Sequence, residues 1–421
     1  MGKVALAVSS LENLFHSWRD VRSHVLRTSW PHITSEAHDI DAFPFQVLNG
    51  IQAELRNNNY RFSPKYGYTK RKSGGSRRGI TVQSVRDRIV QRAILNVLYT
   101  SNSVLKGHLG NIPAVLNRPR SFAGVPGRGA PEAIASIVRV IREGAKAYAY
   151  SDMKDFFPCI PRNDVVEFIG ANVNDDEFVN LFRQALDTEL SNANDLGAML
   201  DLFPGPEVGV AQGSLLSVLA GNIVMRRFDD ALNTGEVVTI RYLDDFIILA
   251  EGVESAENAF GMARAELARL GMDCYVPYDG SQKAFIGLVA DGFDFLGCRI
   301  HPDGVSPSSK NRRKFLRDIK AIMAETKKEI RAFKGDDGRR RRTEHAYIQA
   351  LSLIDRKIRG WGDAYQFVSN RVTFSQMDDA IDEMLSEFRL WFSRQTKDAN
   401  PRARRRMSGV ALLADTPPRA F

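Results

Sequence analysis

Two short apolar runs flank a polar tetrapeptide past the middle of the chain. Val237, Thr239 and Arg241 alternate with Val238, Ile240 and Tyr242 before it, and Phe246-Ile247-Ile248-Leu249-Ala250 follows it. A period of two predicts one strand and the bounded apolar run a second, buried one, so Tyr242-Leu243-Asp244-Asp245 falls at a hairpin tip. Ala145 to Tyr150, with alternating aromatics, predicts a further strand with Asp152 near its end. Elsewhere the period is helical. Phe43 to Arg56 reads as a helix, as does the partly acidic stretch from Asp175 to Leu202, which stops at Pro204-Gly205-Pro206. Ser308 or Ser309 is placed to cap a helix starting near Asn311, with Leu316, Ile319, Met323, Ile330 and Phe333 at helical intervals and Gly335 as its stop. Ile381, Met384, Leu385, Phe388, Trp391 and Phe392 mark another. Stripes of this kind predict core and nothing more. Residues 1 to about 40 carry only short amphipathic patterns.

With 421 residues, 43% hydrophobic and 26% charged, the chain has room for roughly two or three domains around a large core. Cys159, Cys274 and Cys298 are far apart and form no Cys-x-x-Cys pair, which argues against a disulfide framework or a zinc cluster. There is no long apolar run, and Val4 to Val8 is too short for a signal segment, so a soluble cytoplasmic protein without a membrane partner is expected. The net charge of +8 is unevenly spread. Arg61 to Arg92 holds ten basic residues against one acidic, Lys310 to Arg342 fourteen against five, and Arg394 to Arg406 six against one, leaving the remainder net acidic. Basic segments on either side of a carboxylate-bearing middle predict a nucleic-acid cleft, with Lys310, Arg312, Arg313, Lys314 and Arg317 as candidates to face the backbone. A solvated helix face accounts for some of Arg339 to Arg342. The Arg- and Pro-rich tail after about 396 is expected to order on RNA.

An Asp-Asp pair alone is usually a solvated turn. The reading changes with a second carboxylate site, Ser151-Asp152-Met153-Lys154-Asp155-Phe156-Phe157-Pro158, also at a predicted strand end. Nucleotidyl transfer needs two divalent cations about 4 Å apart, one at the attacking hydroxyl and one at the leaving phosphates, and rigid strand-borne carboxylates supply such a platform. In order and context, Asp152, Asp244 and Asp245 resemble the palm of the reverse transcriptases. The resemblance implies that Asp152 and Asp244 hold two Mg2+ ions, with Mn2+ able to substitute, and that Asp245 supports them. Phe157 stands where the family has an aromatic residue that blocks a ribose 2′-hydroxyl, which implies selection of dNTPs; on its own, Phe156-Phe157 would read as ordinary core.

Further motifs follow in family order. Gly209 to Ser217, continuing to Asn222, resembles the glutamine-glycine segment, with Gln212 and Gly213 diagnostic and Val218 where a proline is usual. Glycine permits close backbone approach, and the glutamine amide can bond a sugar or base edge. Lys65, Lys70, Arg71, Lys72, Gly74, Gly75, Arg77 and Arg78, ahead of Ile80 and of Asp87-Arg88-Ile89-Val90-Gln91-Arg92-Ala93-Ile94, resemble the fingers of group II intron-type reverse transcriptases. A bidentate arginine on the triphosphate is expected there, Arg78 first, then Arg77, with Lys72 also a candidate. Phe295-Leu296-Gly297-Cys298 resembles the hairpin that holds the primer end. Lys283 lies roughly where the family places a lysine able to protonate the departing pyrophosphate, although the interval from Gly271 departs from the common spacing. Ile354 to Tyr365 resembles the thumb segment of group II intron maturases, so the likeness spans about residues 60 to 365.

What the resemblance implies is an α+β, right-hand polymerase: an N-terminal extension (1–40), fingers (41–145), a palm with an antiparallel sheet carrying the hairpin (146–303), a helical thumb (304–395) and a basic tail (396–421). The expected activity is RNA-directed DNA synthesis from an RNA template, a DNA or RNA primer and dNTPs, giving cDNA. No nuclease, integrase or RNase H extension and no Val-Thr-Gly signature of the retron type are recognisable. The chain therefore resembles the free-standing, defence-associated bacterial enzymes that pair with a neighbouring non-coding RNA against phage. Two other readings stay open: an RNA-binding maturase or scaffold, and protein-primed or template-independent synthesis, for which eleven tyrosines offer no obvious choice.

Overall fold

The computed structural model describes residues 1–71, 75–205, 207–235, 237–277, 282–332, 345–397, 400–408, 410 and 412–415. Lys72, Gly74, Pro206, Phe333, Gly335 and Arg339 to Arg342 lie outside the described residues. The chain divides into two compact units, Met1–Leu288 and Val289–Phe421.

Four helices open the first unit: α1 (Lys3–Val8), α2 (Leu11–Val25), α3 (Pro31–Ala42) and α4 (Pro44–Arg56). Pro31 and Pro44 sit in first turns, where a missing N–H breaks no helical bond. Val4, Leu14, Ile33 and Leu48 share one buried core with Ile89 and Ile94 of α5 (Val85–Leu98), so residues 1–40 are built into this unit. Strands β1 (Tyr66–Arg71) and β2 (Arg77–Val82) form a separate antiparallel hairpin, with Lys70 opposite Arg78. Ser84 caps α5 by accepting from the Asp87 N–H at 3.1 Å. Asp87 is an anchor rather than a surface acid. It accepts from the Tyr60 hydroxyl at 2.8 Å and the Ser63 N–H at 3.1 Å, and burial pushes its pKa up.

The main sheet is antiparallel, in the order β4 (Val238–Tyr242), β5 (Asp245–Ala250), β3 (Ala147–Asp152), β6 (Ala284–Leu288). The pleat sorts β3 cleanly: Ala147, Ala149 and Ser151 are fully buried on one face, which leaves Tyr148, Tyr150 and Asp152 on the other. Phe246, opposite Ser151, lies with its ring 6.1 Å from Phe260 of the covering helix Val253–Arg269.

The stretch from Asp175 to Leu202 is not one helix. Asp176–Ala185 is helical, the chain then leaves to bridge Leu190 with Lys65, and Ala193–Leu196 and a 3-10 turn, Gly197–Leu202, follow. Two buried cations explain the break. Lys65 donates to the Asp187 carbonyl, and Arg162 to the Thr188 hydroxyl at 3.1 Å and the Gly205 carbonyl at 2.6 Å. A continuing helix would have used the Asp187 carbonyl internally.

In the second unit, β7 (Phe293–Phe295), β8 (Cys298–His301) and β9 (Gly304–Pro307) form a three-stranded meander ahead of three long helices, Ser309–Ala332, Ala346–Ala364 and Val372–Gln395. Ser308 caps the first, accepting from the Asn311 N–H at 3.3 Å. Ile319, Met323, Ile381, Met384 and Phe388 are buried together, whereas Leu316 and Leu385 pack at the margin and Phe315 takes the inner place beside Leu316. In the tail, Pro401–Met407 is helical in the chain alone.

The glutamine-glycine segment depends on a backbone crossing. Gly213 has φ +118°, the Thr81 N–H donates to the Gln212 carbonyl at 2.8 Å, and a Cβ on Gly213 would lie 2.5 Å from the Thr81 carbonyl oxygen. Gly75, at φ +86°, has nothing among the described residues within 4 Å of such a Cβ. Gly213→Ala should therefore lower unfolding stability by about 2–4 kcal/mol and Gly75→Ala by only about 1 kcal/mol. Urea denaturation measures both; equal effects would show that the crossing is slack.

Candidate active site

The hairpin β4–β5 turns through Leu243 and Asp244, with Tyr242 opposite Asp245 and Asp245 in turn opposite Asp152 of β3. Leu243 has φ 63°, a conformation that costs a side-chain-bearing residue about 1–2 kcal/mol. Arg241 holds it there. This side chain is 1% exposed, and all five of its N–H groups are partnered: a fork to Asp229 at 2.7 Å on each arm, the Ser121 hydroxyl at 2.8 Å, and the Asn222 amide oxygen and Leu243 carbonyl at 3.1 Å each. The Met153 N–H donates to the Asp244 carbonyl at 3.0 Å, and the Tyr275 N–H to the Asp152 carbonyl at 3.1 Å. The two carboxylate-bearing segments are thus stitched through backbone.

Charge accumulates at this point. Burial, then the charge of Asp152, raises the Asp244 pKa; burial, then the charges of Asp244 and Asp152, pushes Asp245 up to about 7. Lys283 supplies the nearest relief. Its ammonium donates to Asp152 and stands 4.3 Å from the Tyr275 ring centroid, and although burial disfavours the cation, the Asp152 bond and charge raise its pKa. Crowded, mutually repelling carboxylates are the chemistry that a divalent cation relieves. Among the described residues no group of three or more His, Cys, Asp or Glu is placed to hold a metal ion by itself. The residues fit the open kind of Mg2+ site, in which one or two carboxylates share the ion with water and substrate oxygens.

Asp152, Asp244 and Lys283 line a cavity of about 310 Å3 together with Phe157, Gln212 and Arg78. Both phenylalanines border this cavity but differ in burial. Phe156 is 3% exposed, and its ring fills the space a Cβ on Gly221 would need, so it belongs to the core. Phe157 is half-buried, edge-on to Phe156 with centroids 5.5 Å apart, and its carbonyl accepts from the Val210 N–H at 2.9 Å, which ties it to the segment carrying Gln212. Arg77 and Arg78 are both exposed, and Arg77 donates to the Thr69 hydroxyl. Strand alternation puts Arg77 and Arg78 on opposite faces of β2. Lys65, grouped by sequence with the basic turn, is buried instead, and burial depresses its pKa. Asp201, Leu202 and Tyr275 also line the cavity without having been expected; Arg241, outside the cavity, is legible as a charge at an inward strand position.

In the second unit, Phe295 is buried and opposite Cys298, so Leu296 and Gly297 form a two-residue turn, both in the left-handed region at φ 46° and 79°. Lys310, Arg313, Lys314 and Arg317 are exposed at spacings that make one helix face, while Arg312 is partly buried and donates to the Ser309 hydroxyl at 2.9 Å.

Residues 70–300 match a family model described as reverse transcriptase (RNA-dependent DNA polymerase). The chain is 25% identical over 194 residues to an uncharacterized 91 kDa protein in cob intron of Schizosaccharomyces pombe (strain 972 / ATCC 24843), covering 45% of this chain and 21% of that protein. It is 23% identical over 296 residues to Protein YkfC of Escherichia coli (strain K12), covering 60% of this chain and 71% of that one. The chain thus spans only 21% of the first relative's length. Among solved structures, a partial Cas6-RT-Cas1–Cas2 complex gives a TM-score of 0.35 at 18% identity, covering 62% of this chain and 42% of that chain. Telomerase from Candida tropicalis in complex with a TWJ fragment of telomeric RNA gives 0.41 at 13% identity, covering 83% and 64%. At these scores the structural likenesses carry no argument.

A raised carboxylate pKa means the folded, metal-free protein binds that proton more tightly than the unfolded chain. The stability it contributes is present below the unfolded value near 4 and is lost as pH rises through about 7. Asp245→Asn should therefore raise the chelator-treated protein's stability at pH 8 by about 2–4 kcal/mol and change it little at pH 4. Denaturation series at the two pH values test this; a pH-independent difference would remove Asp245 from the charged cluster.

Proposed function

The chain belongs to the reverse transcriptase family, and on that premise we propose that it is an RNA-directed DNA polymerase that extends a DNA or RNA primer with dNTPs on an RNA template. The observation that carries this reading is the convergence of Asp152, Asp244, Lys283, Phe157, Gln212 and Arg78 on one cavity. Asp152 and Asp244 would hold two Mg2+ ions, with Asp245 in support. When bound, these ions lower the pKa of the primer hydroxyl and neutralise the triphosphate. The chain's own groups do the rest. Arg78 grips the outer phosphates, Arg77 on the other face of β2 being the second candidate, and Gln212 contacts the sugar or base edge of the incoming nucleotide. Phe157 occupies the space of a 2′-hydroxyl. Lys283, now bonded to Asp152, delivers a proton to the leaving pyrophosphate.

In the same reading, Phe295-Leu296-Gly297 holds the primer end, and Lys310, Arg313, Lys314 and Arg317, with Arg312 at the edge of their face, bind the template–primer backbone. Residues 41–145 act as fingers with 1–40 packed into them, 146–303 as palm and 304–395 as thumb. An associated non-coding RNA as template, and an antiphage role, extend the reading on the strength of motif resemblance. Sequencing the RNA and DNA that copurify with the protein tests that extension; random cellular RNA and no cDNA would end it.

Asp152→Ala and Asp244→Ala should each reduce Mg2+-dependent primer extension by about a thousandfold or more and leave RNA affinity within a few-fold. Variants as active as the parent would overturn the site. An unaltered RNA-binding protein without extension in the parent itself would favour a maturase or scaffold.

Phe157→Ala removes the bulk beside the sugar. The ratio of rNTP to dNTP incorporation should rise by about tenfold or more even if total activity falls. Competition between the two nucleotides on one primer reads it; an unchanged ratio dismisses Phe157 as the steric gate.

A further inference from the structure

The Leu296-Gly297 turn is held from outside its own hairpin. A two-residue turn with both φ values positive usually carries Asn-Gly or Asp-Gly, so a leucine at φ 46° is strained and needs a restraint. The Gly297 carbonyl collects three donors: the Ser308 N–H at 2.9 Å, the Asn311 amide at 3.2 Å and the Tyr365 hydroxyl at 3.4 Å. Asn311 also donates to the Tyr365 hydroxyl at 2.7 Å. A Cβ on Gly297 would collide with the Asn311 amide nitrogen, so glycine is what lets the clasp close.

Neither residue is loose. Asn311 lies in the first turn of the helix Ser309–Ala332, one position after Lys310, where that helix's exposed basic face begins. Tyr365 caps Ala346–Ala364, and its ring lies 4.6 Å from Trp361, which stacks on Phe315 at 4.7 Å. Beyond Tyr365, the Ser369 hydroxyl accepts from the Val305 N–H at 2.9 Å and the Asn370 N–H donates to the Val305 carbonyl at 3.0 Å. Two helices and the following loop therefore grip the meander at its turn and at β9.

We propose that Asn311 and Tyr365 are positioning residues for the primer 3′ end, fixing the Leu296-Gly297 turn to the basic helix so that the bound duplex and its terminal nucleotide are held as one body. This rests on the polymerase reading above and adds to it two residues that act through the Leu296-Gly297 turn. Losing the clasp would leave the duplex bound but its 3′-oxygen poorly aligned, and a misplacement of about 1 Å costs up to about a hundredfold in rate.

The test uses the full chain with Tyr365→Phe, Asn311→Ala and the double variant, on a DNA primer annealed to an RNA template. Single-turnover addition at saturating dNTP should slow by about tenfold in each single variant, while duplex affinity stays within twofold. The double variant should be no slower than the worse single one, because both belong to one clasp. Amide hydrogen exchange at Leu296 to Cys298 should quicken in Tyr365→Phe, a readout that needs no activity. Unchanged exchange and unchanged rate overturn the proposal, as does a rate loss matched by loss of duplex affinity. Absence of extension by the parent protein would instead count against the polymerase reading, and exchange alone would then decide whether the clasp exists. Tyr365→Phe keeps the ring stack, so it remains informative should Asn311→Ala fail to fold.

Discussion

Arg241 lies at an inward position of β4, and its guanidinium joins Asp229, Ser121, Asn222 and the Leu243 carbonyl, so distant parts of the chain converge on one charge. A buried ion pair gains little net energy over well-packed apolar side chains, because desolvation offsets most of the attraction. Breaking it is another matter, since a lone buried charge costs about 3–5 kcal/mol. The constraint therefore acts on position. With five donors in a rigid fork, every partner has one place to be, and the left-handed Leu243 stays put because its carbonyl is one of those partners. Asp244 follows Leu243 directly, and its own carbonyl is tied to Met153, next to Asp152. The placement of Asp244 beside Asp152 is thus inherited in part from a buried cation that bonds to neither of them.

That rigidity has an electrostatic cost which the site uses. Carboxylates free to move would separate; here they are held together, and the proton affinities of Asp244 and Asp245 rise. Lys283 and Asp152 partly neutralise each other meanwhile. The same contact places an ammonium beside Asp152, where, in the function proposed above, it balances charge before substrate arrives and delivers a proton after it.

Local pattern makes the hairpin legible in sequence: alternation before Tyr242, an apolar run after Asp245 and aromatics before Asp152 each lie within one strand. Ser308 as a cap and the stripe Ile381, Met384, Phe388 are legible for the same reason. What escapes is what depends on distant partners. Nothing near Lys65 says that Asp187 will supply its acceptor, and nothing near Asp187 says that the helix must stop for it. Phe156 and Phe157 differ only in which one meets Gly221, a contact across 64 residues of chain. Residues 1–40 look peripheral because their amphipathic patterns are short, yet α5 supplies the surface that they cover.

The strand order β4-β5-β3-β6 sets the timing of assembly. β3 ends at Asp152, but its neighbours begin only at Asp245 and Ala284. During synthesis β3 leaves the ribosome with both edges unpaired and must wait for nearly a hundred further residues before the first partner arrives. Non-local pairing of this kind is slow and leaves strand edges open to aggregation. Asp152, Asp244 and Asp245 cannot be brought together in any earlier intermediate, and the sheet is complete only when β6 has followed.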